Sequence, residues 1–187
     1  MRKVLFVVGL ILLTSGIAGA TCNKFEVGGG YRYVRVSSQI SAGLFSSNNS
    51  INANGWDAEA AFNLNCWLGV VADFGGVYAS PFGVSTHVYN ETFGPRVNVL
   101  KLGPINPFVE GLFGAAQLGA HTGGCVSCGL DFSDNAFAGQ FGGGVDVSFG
   151  GPFALRTRLD DIYTRFENQN QNSLGVTAEV VFKFGGH

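Results

Sequence analysis

The residues of this chain whose types could do chemistry are few and loosely spaced. Cys125 and Cys128 form a Cys-x-x-Cys with His121 shortly before it. Redox catalysis by such a pair wants a βαβ setting, haem attachment needs His where Gly129 stands, and a zinc site that used His121 would still lack ligands nearby. A short disulfide is therefore the expected chemistry of that pair. Cys22 and Cys66 would form a second bridge if their Cα atoms come within about 7 Å in an oxidising compartment. Ser85, His87 and Glu91 supply a hydroxyl, a base and a carboxylate, but four strand residues separate His87 from Glu91 by about 13 Å. The run "GQFGGG" from Gly139 looks like a nucleotide loop, yet no helical pattern follows it. No catalytic residue, metal or cofactor is expected.

What remains is charge, and its placement depends on the elements that carry it. The dominant pattern has period 2. From Phe137 to Phe149 one parity reads Phe137, Gly139, Phe141, Gly143, Val145, Val147 and Phe149, and the other is small or polar. The same split runs from Leu174 to Phe184 and from Gly55 to Asn65. Applied throughout, it predicts eight strands near 24–36, 55–65, 67–79, 86–99, 107–120, 135–149, 153–164 and 174–184. These lengths suit tilted strands that cross a membrane, which need roughly 9–11 residues. Short connections after the second, fourth and sixth strands alternate with longer polar ones after the others, including "SSQISAGLFSSNNSINAN" and "ENQNQN". With both termini on the short-turn side, that is the layout of an outer-membrane barrel.

The start of the chain agrees. Arg2 and Lys3 precede an apolar run from Val4 to Leu13, and Ala18-Gly19-Ala20 offers a cleavage site, so residues 1–20 are expected to be a removed signal peptide. Residues 21–187 would then be one barrel domain. Without Arg2 and Lys3 the chain has 9 basic and 13 acidic residues, which gives nucleic acid no footprint. Gly (29) and Phe (17) are abundant and charged residues make up only 13%, a composition that suits an exported β-protein.

Which face is wet follows from the charges. Opposite the apolar parity stand Lys24, Glu26, Arg32, Asp57, Glu59, Asp73, Arg96, Glu110, Asp146, Arg156, Arg158, Asp160, Glu179 and Lys183. In a soluble barrel the interior would have to hold Trp56, Phe62, Phe74, Tyr78, Phe93, Phe141 and the other aromatics together, and eight strands enclose too little room. The apolar face is therefore expected to meet lipid, with the charges facing a narrow lumen. Buried charges need partners, and the two signs are numerous enough there for an internal salt-bridge network. One residue fits awkwardly: strict alternation in "FALRTRLDDIYTRF" points Asp161 at lipid, so it should mark the outer rim or a bulge.

The stretches "FEVGGGYRYVRV", "FGPRVNV", "PFVEGLFGAAQL", "GQFGGGVDVSF", "FALRTRLDDIYTRF" and "GVTAEVVFKF" resemble, in order and spacing, the small OmpA-like and OmpX-like outer-membrane barrels of Gram-negative bacteria. That resemblance implies an all-β, eight-stranded antiparallel up-and-down transmembrane β-barrel in the outer membrane. Its partners would be outer-membrane lipid and the assembly machinery that reads a terminal strand such as the one carrying Phe182 and Phe184. Glu179 departs from the Gly usual in that signal, and Gly185, Gly186 and His187 follow its last aromatic. The resemblance further implies a non-enzymatic role in membrane integrity or in surface interaction through loops of unidentified ligand. Lipid A modification at the outer rim and a small low-conductance channel are the alternatives.

Overall fold

The computed structural model describes residues 22–38, 49–79, 85–100, 102–121, 132–166 and 169–185. Among them are eight strands: β1 (Phe25–Ser38), β2 (Asn49–Asn63), β3 (Leu68–Ala79), β4 (Ser85–Asn98), β5 (Ile105–His121), β6 (Phe132–Ser148), β7 (Phe153–Phe166) and β8 (Gln169–Phe184). Each pairs antiparallel with its neighbour in sequence, and β8 returns to β1, so the sheet closes into a barrel. Closure pairs the two strands that would otherwise be edges, which a lipid environment requires.

The register fixes the barrel's shape. Phe25 pairs with Phe62, Phe62 with Val70 and Val70 with Pro95. The β4–β5 register sets Pro95 opposite Gly111; Gly111 then pairs with Phe141, Phe141 with Asp161, Asp161 with Leu174 and Leu174 with Arg35. One circuit therefore returns to β1 displaced from residue 25 to residue 35, a shear of ten. Eight strands with that shear tilt about 41° from the axis and leave a backbone radius of about 8 Å. Each residue then climbs roughly 2.5 Å along the axis, and each step to the next strand about 3 Å.

Those heights sort the outward residues into belts. Phe25, Phe62, Phe149, Phe153, Phe182 and Phe184 are all exposed and lie within about 5 Å of one level at the short-turn end. Several touch, with ring centroids 5.1 Å apart for Phe25 and Phe62 and 5.2 Å for Phe153 and Phe182. About 20 Å higher the outward face turns to Tyr and Trp. There Tyr31 donates to Asn54 at 2.5 Å, and the hydroxyls of Tyr78 and Tyr89 are 3.2 Å apart. Between the belts the outward face is apolar: Val27, Val70, Val109, Leu159, Val176 and Val180 are all more than 40% exposed. An apolar band of roughly 20–25 Å between aromatic belts matches the hydrocarbon layer, and this much exposed apolar surface has no place in water.

Two strands run further than alternation predicts. β2 begins at Asn49 instead of residue 55 and β8 at Gln169 instead of residue 174, so part of both Asn-rich runs is strand. Backbone pairing continues there, with Ser38 against Asn49 and Phe166 against Gln169, after the apolar signal has stopped. The strands leave the lipid before they end, and beyond it nothing requires an apolar outer face. Asp161 is exposed on the outward face, and the β6–β7 and β7–β8 registers pass it without a bulge. It stands about 19 Å above Phe25, level with exposed Glu91 on β4, where the apolar band gives out.

The short turns use local chemistry. The Asn65 side-chain oxygen accepts from the amides of Trp67 at 3.0 Å and Leu68 at 2.8 Å, closing the β2–β3 turn. Gly150 and Gly151, at φ of 91° and 70°, turn the chain between β6 and β7 where a side chain would be strained. Cys66 in the β2–β3 turn is disulfide-bonded to Cys22 ahead of β1, with Cα atoms 5.3 Å apart. The bridge spans 44 residues of sequence, so its reduction should lower stability by about 2–4 kcal/mol. Urea unfolding of the refolded protein with and without reductant reads that difference, and Cys66→Ser should reproduce it.

Candidate functional site in the barrel lumen

Every second residue points inward, and in the lower two-thirds of the barrel that face collects the charges, packed among Ala61, Val71, Leu112 and Val181. Glu26, Arg32, Asp57, Glu59, Asp73, Arg96, Glu110, Asp146, Arg156, Arg158, Asp160 and Glu179 are all buried, and the Lys183 side chain is 12% exposed at the short-turn end. Each comes from a strand whose opposite parity is in lipid, so the fold that exposes the phenylalanines also gathers these groups. Glycines make room for them. A Cβ at Gly144 would come within 2.7 Å of the Phe108 ring, and one at Gly75 within 2.7 Å of Arg32 Nη1.

Arg158 of β7 is the hub. Its guanidinium lies 2.6 Å from Asp73, 2.8 Å from Asp160, 2.9 Å from Glu59, 3.1 Å from Glu110, 3.3 Å from Asp57 and 3.7 Å from Glu179. Those carboxylates come from β3, β7, β2, β5 and β8, so one side chain ties together most of the circumference. Glu59 is the complementary hub, accepting from Arg158, from Arg96 at 2.5 Å and from Arg156. Below them Arg156 reaches Asp146 at 2.6 Å and Glu26 at 2.7 Å, and Lys183 holds Asp146 at 2.6 Å. Above them Arg32 pairs with Asp73 at 2.8 Å and with Asp57. The ions form a continuous column that fills the bore.

Two features of the column are not visible in the list of inward charges. Phe108 is buried inside it, with the Arg96 guanidinium 4.4 Å and the Arg156 guanidinium 5.0 Å from its ring centre. Such stacking offsets part of the arginines' lost hydration. The signs are also less balanced than alternation suggests. Lys24, which shares the inward parity, lies exposed at a bend ahead of β1. That leaves eight carboxylates, Glu26, Asp57, Glu59, Asp73, Glu110, Asp146, Asp160 and Glu179, against five cations, Arg32, Arg96, Arg156, Arg158 and Lys183. Both carboxylate oxygens of Glu179 and one of Asp160 lack a hydrogen-bond donor.

The other candidate residues are not brought together. His87 lies on the outward face of β4 with its ring 5.3 Å from that of Tyr89, and Glu91 is exposed on the same face four residues further down. The Ser85 side chain lies outside the described residues, as do Cys125, Cys128 and the His121 side chain. Among the described residues no cluster of His, Cys, Asp and Glu could hold a metal ion.

A closed eight-stranded barrel with an apolar outer band, aromatic belts and an ion-filled bore defines the class: a small outer-membrane β-barrel, whose seat is the outer membrane of a Gram-negative bacterium. Within that class the fold is similar to Neisserial surface protein A, with a TM-score of 0.70 at 16% identity over 86% of this chain and 97% of that one. It is also similar to Ail, the attachment invasion locus protein of Yersinia pestis (0.57, 17%, covering 86% and 99%). The N-terminal β-barrel domain of Pseudomonas aeruginosa OprF aligns as well (0.52, 13%, covering 87% and 100%). No family model matches the chain, and no curated protein sequence does.

Proposed function

We propose that this protein is a non-enzymatic barrel that is held rigid by its lumen charges and presents its long connections at the cell surface for interaction. The observation that carries this reading is the division of the barrel along its axis. The lower part is anchored in lipid and sealed by buried ion pairs, and the upper part extends beyond the apolar band. β5 and β6 continue to His121 and Phe132, roughly 20 Å above the level of Asp161 and Glu91. A bore crossed at successive levels by Arg156, Arg158 and Arg32 with their carboxylates supports a sealed lumen, and large aqueous channels need about 16 strands.

Support from a neighbour is indirect. Ail is named as an attachment and invasion protein, and one of its structures is a complex with the heparin analogue sucrose octasulfate. Such a role for this chain would reside in connections 39–48, 80–84, 122–131 and 167–168, together with the strand ends that raise them. Residues 1–20 are taken as a signal peptide, and the strand ending in Phe182 and Phe184 as the segment the assembly machinery reads.

The deciding experiment replaces connections 39–48 and 122–131 by two-residue turns, leaving the barrel intact. Loss of host-surface or polyanion binding by expressing cells, with normal outer-membrane fractionation and unboiled-gel mobility, supports surface interaction. If binding never existed and the trimmed barrel restores envelope detergent resistance as well as the full chain, the role is membrane integrity. Conductance steps from the full-length protein in a planar bilayer would overturn the sealed-lumen reading.

A further inference from the structure

The polarity of the barrel wall inverts partway up, with no bulge to cause it. Below the level of Asp161 the inward face carries the charges, with Ala61, Val71, Phe108 and Leu112 packed among them, and the outward face is apolar. Above it the outward face carries exposed Arg35, Asn54, Gln117, Asp161, Arg165 and Asn172. The inward face there carries Val34, Val36, Val77, Val88 and Ile162, with Val34 and Val77 in one buried cluster. Polar side chains thus join the exposed Tyr78, Tyr89, Phe137 and Leu174 on the outside, while aliphatic ones, with Asn90, Thr164 and Ser173 among them, gather inside.

Those inward residues wall a cavity of about 80 Å³ at the outer end of the lumen. Its floor is the top of the charge column: Arg32, Thr92 and Gln140 line it, and all three side chains are at least nine-tenths buried. Their unpartnered polar atoms are of one kind. Arg32 Nε and Nη1 and Gln140 Nε2 are donors without acceptors, and the Thr92 hydroxyl is free to donate. A buried donor left without an acceptor costs the full desolvation of that group, so the floor calls for an acceptor beneath an aliphatic body.

The charge column decides the acceptor's charge. Arg32 is already paired with Asp57 and Asp73, and the column as a whole, Arg32 included, holds eight carboxyl groups against five cations. An anionic head would face that excess, and a cationic head would face the Arg32 guanidinium and the unpartnered Gln140 amide donor. A neutral carbonyl meets neither penalty.

We propose that this cavity is a binding site for a small neutral amphiphile, with its ester, lactone or amide carbonyl on Arg32 and Gln140 and a short alkyl chain against Val34, Val77, Val88 and Ile162. The cavity stands above the lipid level, so the ligand enters from the aqueous exterior and not from the bilayer.

The test uses the refolded full chain in lipid nanodiscs, without detergent, with methyl-labelled valine and isoleucine. Methyl hexanoate should shift the Val34, Val77, Val88 and Ile162 methyl resonances saturably. Hexanoate, hexylammonium and heptane should each bind at least about tenfold more weakly, a difference of roughly 1.4 kcal/mol. Gln140→Leu should weaken the ester about fivefold and leave heptane unchanged. Ala116→Leu and, separately, Ala138→Leu, which fill the cavity from two sides, should abolish the shifts in barrels that keep their unboiled-gel mobility. Absence of saturable shifts with any probe overturns the proposal, as does heptane binding equal to the ester's or ester binding unchanged in both filling variants. Hexanoate binding tighter than the ester would overturn the neutral-head assignment.

Discussion

Arg158→Met should lower the unfolding free energy of the refolded barrel by about 3–5 kcal/mol, the cost of removing one partner from a buried ion pair. Methionine keeps much of the volume, so the loss is chiefly electrostatic. Six carboxylates lie within 3.7 Å of this guanidinium, and its side chain is fully buried. Water cannot readily replace it, because Phe108, Arg96 and Arg156 pack the bore beneath and Arg32 caps it above. Lys183→Met is the internal comparison. That side chain is 12% exposed at the rim and its partner Asp146 keeps Arg156 when the amine is lost, so the change should cost about 1.5–3 kcal/mol, one charge-assisted hydrogen bond. Urea titrations of both variants in vesicles measure the difference. If charge is the cause, adding Asp160→Asn and Glu179→Gln to Arg158→Met should recover part of the loss. If both single variants unfold like the parent, the column is not what holds the barrel together.

Val180→Arg should destabilise the lipid-embedded barrel by about 2–4 kcal/mol, the cost of a basic side chain on the lipid face near the bilayer midplane. Val180 is 58% exposed on β8, between Gly29 of β1 and Leu155 of β7. It stands about 7 Å above Phe25, close to the middle of the apolar band. Asn172→Arg lies on the same face of the same strand about 20 Å higher, beyond the band, and should change stability by less than about 1 kcal/mol. In a water-soluble barrel both substitutions would fall within about 0.5 kcal/mol of zero. The contrast therefore tests which face meets lipid and where along the strand it stops doing so. Equal effects at the two positions would remove the membrane boundary drawn through Asp161 and Glu91.

The fold was largely legible because a membrane barrel imposes one rule on every strand. Lipid demands an apolar residue at each second position, so Phe137 through Phe149 and Leu174 through Phe184 declare both their conformation and their outward face. The same rule named the inward set from Glu26 to Lys183, since parity alone separates the two faces of a strand. Strand ends were less legible at Asn49–Asn54 and Gln169–Ser173, where backbone hydrogen bonds continue but the lipid no longer selects side chains. Phe108 shares the parity of Glu110, so alternation places it inward, but its type suits the lipid face and only its position between two arginines explains what it does there.

By itself, then, the sequence determined the strand count and the closure into a barrel, and its alternation pointed to the face of most charges, Lys24 excepted. These follow from local alternation and from the solvent on either side of the wall. Only the tertiary structure decided which charges meet, because Arg158 and Glu59 are 99 residues apart in the chain and come within 2.9 Å through the barrel's shear of ten. It likewise decided the height of each residue along the axis, and so where the wall changes polarity. Height is a sum of tilt and register around the whole circuit, which no single strand contains.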